Sequence, residues 1–80
     1  EEFVVLMPGI EEAEAQQVLT RLQRSLSASL FMHEQREVFV TFSAGVTLWR
    51  PPETLELALE RADVALYEAK RTGKNRTCIG

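Results

Sequence analysis

Ala62-Asp63-Val64-Ala65-Leu66-Tyr67-Glu68-Ala69-Lys70-Arg71-Thr72-Gly73-Lys74-Asn75-Arg76 is the most informative stretch of this 80-residue chain. It completes an amphipathic pattern in which Leu55, Ala58, Leu59, Ala62, Leu66 and Ala69 line one helical face up to Thr72. Thr54 is a good N-cap for that helix, and Gly73 supplies a C-terminal stop. Lys70, Arg71, Lys74 and Arg76 crowd its end and admit two readings. Cations at a helix C-terminus are favoured by the macrodipole alone. A local basic cluster in an otherwise acidic chain also suits a small anion such as a phosphate.

Working back from this helix, Arg50-Pro51-Pro52 breaks the preceding segment. Val38 to Trp49 is rich in Val, Phe and Thr, with Val38, Val40, Phe42, Ala44 and Val46 in alternation, and reads as a strand. Gly45 inside it marks a bulge or a close backbone approach. His33 to Glu37 is polar and reads as a connection. Glu11 to about Met32 reads as a helix with an acidic first turn and Ala15, Val18, Leu19, Leu22, Leu26 and Leu30 at helical spacing. Phe3-Val4-Val5-Leu6-Met7, stopped by Pro8-Gly9, reads as a buried strand, and Asn75 to Ile79 as a last short one. The order strand, helix, strand, helix, short strand implies a single α/β or α+β domain.

Composition fits that class: 45% of residues are hydrophobic and 26% charged, as in ordinary globular chains. A formal charge of −3 argues against a general nucleic-acid binder. No apolar run reaches the ~20 residues that span a bilayer, and the opening Glu1-Glu2 is unlike a secretory signal. The single cysteine, Cys78, forms no internal disulfide or multi-cysteine metal site. A cytoplasmic, reducing compartment is the expectation.

The Ala62–Arg76 block closely resembles the terminal signature of GGDEF domains, the diguanylate cyclases. Phe42-Ser43-Ala44-Gly45-Val46 resembles the strand motif that precedes it in that family. Glu1-Glu2-Phe3 resembles the last three letters of the Gly-Gly-[Asp/Glu]-Glu-Phe signature, continued by Val4-Val5-Leu6-Met7-Pro8-Gly9. The resemblance covers the whole chain but only the C-terminal half of such a domain. The signature glycines, the first strand with its metal-binding Asp, the phosphate-contacting loop, the guanine-reading residues and the inhibitory Arg-x-x-Asp motif would all lie upstream. The implied fold is α+β: residues 1–80 would form half of a ferredoxin-like, nucleotidyl-cyclase-type (palm-like) βαββαβ domain.

The resemblance implies condensation of two GTP molecules to cyclic di-GMP and pyrophosphate at a dimer interface, with divalent metal, Mg²⁺ or Mn²⁺. Glu1 matches the signature's metal-ligating position, and Glu2 matches the acidic position beside it; both are candidate catalytic residues. Lys70 and Lys74 match the basic pair that grips the terminal phosphates of GTP. Lysine at the second position keeps the charge but loses the bidentate geometry of the arginine frequent there. Arg21 matches a position where some members place an arginine that binds inhibitory cyclic di-GMP, and reads equally as a solvated helix face. The implied partners are GTP, cyclic di-GMP, and a second copy or the complementing N-terminal half, with no nucleic-acid or membrane contact. Eighty residues without the upstream elements are expected to be inactive alone. The alternative function is a GGDEF-like module that binds GTP or cyclic di-GMP, or mediates dimerisation, without turnover.

Among the remaining residues, Arg61 and Asp63 flank the apolar helix face, and a structural ion pair or cap is the expected role of Asp63. Tyr67 reads as a core-edge aromatic, Arg71 and Arg76 as solvated, His33, Met32 and Trp49 as surface or core-edge residues, and Cys78 as a strand residue. In the family's sheet the missing first strand lies between Phe3–Met7 and Val38–Leu48. The expectation is therefore that an association fills that gap or that these two strands pair directly, because unpaired edges template pairing.

Overall fold

The computed structural model describes residues 2–80. Two helices and four short strands follow one another as α1 (Glu12–Ala28), β1 (Phe31–His33), β2 (Arg36–Val38), β3 (Ala44–Val46), α2 (Leu55–Arg71) and β4 (Thr77–Ile79). β3 and β4 pair in parallel with Ala44 opposite Thr77, Gly45 opposite Cys78 and Val46 opposite Ile79. Both helices touch this pair and not each other, so α1 covers one face and α2 the other. The architecture is α+β.

The alternation of side chains along a strand decides what each face meets. Thr77 points at α1, where its hydroxyl donates to Gln23 Oε1 at 3.2 Å. Gly45, paired with the next residue along β4, points at α2. A Cβ at Gly45 would overlap the backbone of Ala62 and Leu66. That is the close approach anticipated for a glycine at this position, and it seats α2 directly on the strand. The buried apolar residues are correspondingly small: Ala15 on α1, and Ala58, Ala65 and Ala69 on α2.

α2 forms as its sequence dictates. Thr54 is the N-cap, its hydroxyl accepting from Leu57 N–H at 3.3 Å. α1 is shorter than expected and stops at Ala28 rather than near Met32. Ser29 turns extended (φ −95°, ψ 136°), and its hydroxyl donates back to Ser25 O at 2.7 Å, a local bond that competes with helix continuation. Phe31–His33 is then taken up by an antiparallel hairpin with Arg36–Val38. Only Glu34 and Gln35, both at positive φ (50° and 65°), form the turn, as two-residue hairpin loops whose twist matches the strands require. The polar connection His33–Glu37 is therefore mostly strand.

The expected strand Val38–Trp49 is split. Val38 ends β2, only Ala44–Val46 joins the parallel ladder, and Phe39 and Val40 between them are exposed. Phe3–Met7 forms no strand; Phe3 is 84% exposed and Val4, Val5 and Leu6 are also open. It pairs neither with β3 nor with another segment, which overturns the expectation of direct pairing between the two. An apolar run extends stably only against a partner edge, and Phe3–Met7 joins neither of the two ladders among the described residues. The expected helical faces are likewise only partly buried: Val18, Leu22, Leu30 and Leu59 stand exposed, as does Tyr67, which is 65% exposed rather than at the core edge.

Candidate functional site

The end of α2 is built by a backbone motif that the sequence encodes. Thr72 N–H bonds Glu68 O at 2.9 Å, and Lys74 N–H reaches back across Gly73 to Ala69 O at 2.9 Å. Gly73 at φ 134° makes the reversal, and the six-to-one bond is that of a Schellman cap. Lys70 lies in the last turn before the reversal and Lys74 directly after it, in the left-handed region at φ 62°. Both side chains are carried on the same chain reversal at the negative end of the helix dipole.

Glu2 meets this end of α2. Its Oε2 lies 3.5 Å from Lys70 Nζ, with both side chains at least half exposed. The structure thus brings together two residues singled out from opposite ends of the sequence. Glu1 lies outside the described residues. Arg21 is exposed on α1, and no hydrogen bond or ion pair among the described residues joins it to Glu2, Lys70 or Lys74.

Arg61, Glu68 and Arg71 of α2 are engaged in structural pairs. Arg71 binds Glu68 in a fork, with Nη2 to Oε2 at 2.7 Å and Nε to Oε1 at 3.2 Å. The hydrogen bond from the guanidinium holds the Glu68 carboxyl below its ordinary range and raises Arg71 in turn. Arg71 is exposed, as expected, but committed to this neighbour. Arg61 is more elaborately held. Nη1 and Nη2 bind both oxygens of Glu53 at 2.8 and 2.7 Å, Nη2 also donates to Leu48 O at 2.8 Å, and Nε donates to Thr47 Oγ1 at 3.0 Å. The Arg61 hydrogen bonds, reinforced by Arg50 N–H, hold the Glu53 carboxyl at about 2. This fork ties the helix to the chain leaving β3. The structural ion pair expected near Asp63 belongs to Arg61 alone; Asp63 is exposed and joins no ion pair among the described residues.

Sequence reading missed a polar seam between α1 and β4. Gln23 is buried, with Nε2 donating to Phe42 O at 3.1 Å and Oε1 accepting from Thr77. Gln16 Nε2 donates to Thr77 O at 3.1 Å, and Asn75 Nδ2 donates to Ser27 Oγ at 3.0 Å. Gln16 and Gln23 sit one apart in a seven-residue repeat on the β4-facing side of α1, and that spacing was the available signal. Among the described residues no group of three or more His, Cys, Asp or Glu side chains gathers at one point. Mg²⁺ does not require such a group, since it is commonly held by one or two carboxylates together with substrate phosphates. No helix among the described residues is long and apolar enough to cross a membrane.

Comparison with known proteins agrees with the motifs. The family model described as "Diguanylate cyclase, GGDEF domain" matches residues 1–76. The chain is 42% identical over 76 residues to diguanylate cyclase DgcP of Pseudomonas aeruginosa, covering 95% of this chain and 11% of that protein. It is 33% identical over 76 residues to diguanylate cyclase DgcZ of Escherichia coli, covering 95% of this chain and 26% of that one. The chain thus spans only a small part of the curated relatives it matches. Among solved structures, the GGDEF domain of DgcB from Caulobacter crescentus, crystallised in complex with c-di-GMP, superposes with a TM-score of 0.82 at 26% identity. That match covers 91% of this chain and 43% of the other, and the shared fold is the palm-like one. With the family model spanning nearly every residue and the helix-terminal motif folded as described, the chain belongs to the GGDEF domain family.

Proposed function

We propose that residues 1–80 are the C-terminal part of a single GGDEF domain whose parent protein is a diguanylate cyclase, condensing two GTP molecules to cyclic di-GMP and pyrophosphate as a homodimer. The observation that carries this reading is the meeting of Glu2 with Lys70 at 3.5 Å. A cyclase must hold its acidic catalytic residues and its cationic phosphate ligands against the same triphosphate, and this contact has a candidate of each kind side by side. Glu1 would hold Mg²⁺ or Mn²⁺, which neutralises phosphate charge and lowers the pKa of an attacking hydroxyl, with Glu2 the acidic catalytic residue beside it. Lys70 and Lys74 would bind the terminal phosphates, their ammonium groups acting as point charges. Arg21 is the proposed contact to inhibitory cyclic di-GMP. The proposed compartment is the cytoplasm, where GTP is available.

The experiment is incubation of the full-length protein with GTP and Mg²⁺, followed by chromatography for cyclic di-GMP. Glu1→Gln should lower turnover by about 10²–10⁴-fold, the loss typical of preorganised electrostatic stabilisation. Lys70→Ala and Lys74→Ala should each weaken GTP binding roughly tenfold. Normal turnover in the Glu1 variant and normal GTP affinity in the lysine variants would overturn the reading. The alternative is a module that binds GTP or cyclic di-GMP without turnover, and binding of either with no product formed would establish it.

A further inference from the structure

Lys70 and Lys74 are held at the end of α2 by different means. Lys70 lies inside the helix, where the backbone ladder fixes its position. Lys74 lies beyond Gly73, with its backbone left-handed at φ 62°, and Asn75 follows in the same region at φ 48°. Asparagine is enriched in that region, whereas a lysine is uncommon there, because the Cβ crowds the following carbonyl. Such backbone persists only where the surroundings hold it.

The turn is tied to α2, to β3 and to α1. Lys74 N–H bonds Ala69 O of α2 at 2.9 Å. Asn75 N–H donates to Ser43 Oγ at 3.1 Å, and the adjoining Ala44 N–H, at the start of β3, bonds Arg76 O at 2.9 Å. Asn75 Nδ2 donates to Ser27 Oγ, in the last turn of α1, at 3.0 Å. Asn75 is thus the point at which both helices and the strand are joined, through partners 48 and 32 positions away in the sequence. Lys74 itself is exposed and joins no ion pair among the described residues. The reach of its ammonium group is therefore set by where the turn places its backbone.

We propose that Asn75 is a positioning residue for the phosphate clamp, a role that rests on the phosphate binding proposed above for Lys74. Its bonds to Ser27 and Ser43 hold the turn so that Lys74 meets the terminal phosphates of GTP together with Lys70. A loose turn would have to be ordered when the ligand binds, and preorganisation removes that cost. Lys70 needs no such support, because its helix supplies it.

The test is calorimetric binding to the full-length protein, with Mg²⁺, of a GTP analogue whose α,β-bridging oxygen is replaced by methylene to prevent turnover. Asn75→Gly leaves the left-handed backbone accessible and removes the bond to Ser27. Ser27→Ala removes the same bond from the α1 side with the turn sequence untouched, and Ser43→Ala removes the acceptor of the Asn75 N–H. Each should weaken binding by about 2–10-fold, the range of one net hydrogen bond, and by no more than Lys74→Ala does. In a Lys74→Ala background the same substitutions should add nothing, whereas in a Lys70→Ala background they should act in full, since only residues that act through one another are coupled. Equal losses in the two backgrounds would make Asn75 an ordinary structural residue and overturn the proposal. Wild-type affinity in both Asn75→Gly and Ser27→Ala would overturn it as well. Wild-type affinity in Lys74→Ala, or no binding by the unaltered protein, is a separate failure: it removes the phosphate role of Lys74, and the positioning role with it. Circular dichroism melts of each variant confirm that a loss of binding is local.

Discussion

The Glu2 carboxylate lies 3.5 Å from the Lys70 ammonium, joining the start of the chain to the last turn of α2. Both side chains are at least half exposed, so the pair stabilises the fold little, typically by about 0–1 kcal/mol. Its consequence is for ligand binding, because a carboxylate at this distance competes with any anion for Lys70. Glu2→Gln is expected to leave the melting temperature nearly unchanged and to tighten metal-free binding of pyrophosphate severalfold. The gain should shrink with added salt, which screens exposed charges. Titration at low and high salt checks this; weaker binding in the variant would show that Glu2 does not oppose the anion.

Glu53 predicts a defined acid sensitivity. Its carboxyl is held at about 2 against an ordinary 4.5, chiefly by the Arg61 hydrogen bonds. A folded-state value below the unfolded one gives stability that is present above the unfolded pKa and is lost as pH falls through the folded one. The Arg61–Glu53 contribution is therefore complete above about pH 5 and fades between 4.5 and about 2. Thermal melts of the wild type and Glu53→Gln should differ at pH 6 and converge toward pH 2.5. A gap that stays constant over that range would remove the fork as the cause.

Gly45→Ala places a methyl group inside the backbone of α2 at Ala62 and Leu66. Backbone cannot swing aside as a flexible side chain does, so helix and strand must separate. Overpacking of this kind costs about 1–3 kcal/mol, roughly 4–20 °C in a domain of this size. A differential scanning melt checks it; a shift under a degree would mean that α2 does not sit on β3 as described.

Gln23→Leu removes both the donor to Phe42 O and the acceptor of the Thr77 hydroxyl. Thr77 is itself buried, so its hydroxyl loses its partner without gaining water. Leaving a buried polar group unsatisfied costs about 1–3 kcal/mol. Adding Thr77→Val to Gln23→Leu should recover part of that loss, because both partners of the bond are then apolar. Urea midpoints of the two single variants and the double variant measure the coupling, and strict additivity would disprove it.

What the sequence by itself determined lies where the deciding interactions are local. Thr54 caps α2 through a bond to Leu57, and the reversal at Gly73 ends it with Lys74 N–H bonding Ala69 O; both partners stand within a few residues, so the helix and its basic end were legible. The family motifs were equally legible, being contiguous. What the tertiary structure alone decided depends on partners remote in sequence. Whether Phe3–Met7 becomes a strand depends on an edge to pair with, and its apolar composition cannot supply one. The break of Val38–Trp49 into β2 and β3 follows from which residues find Phe31 and Thr77 opposite them. Gln23 is buried because it meets Phe42 and Thr77, not because of its own hydropathy. Glu2 and Lys70 become neighbours only because the fold returns the end of α2 to the start of the chain. Helix caps are satisfied within one turn, whereas ladders, buried polar bonds and cross-chain ion pairs are satisfied only by the packed molecule.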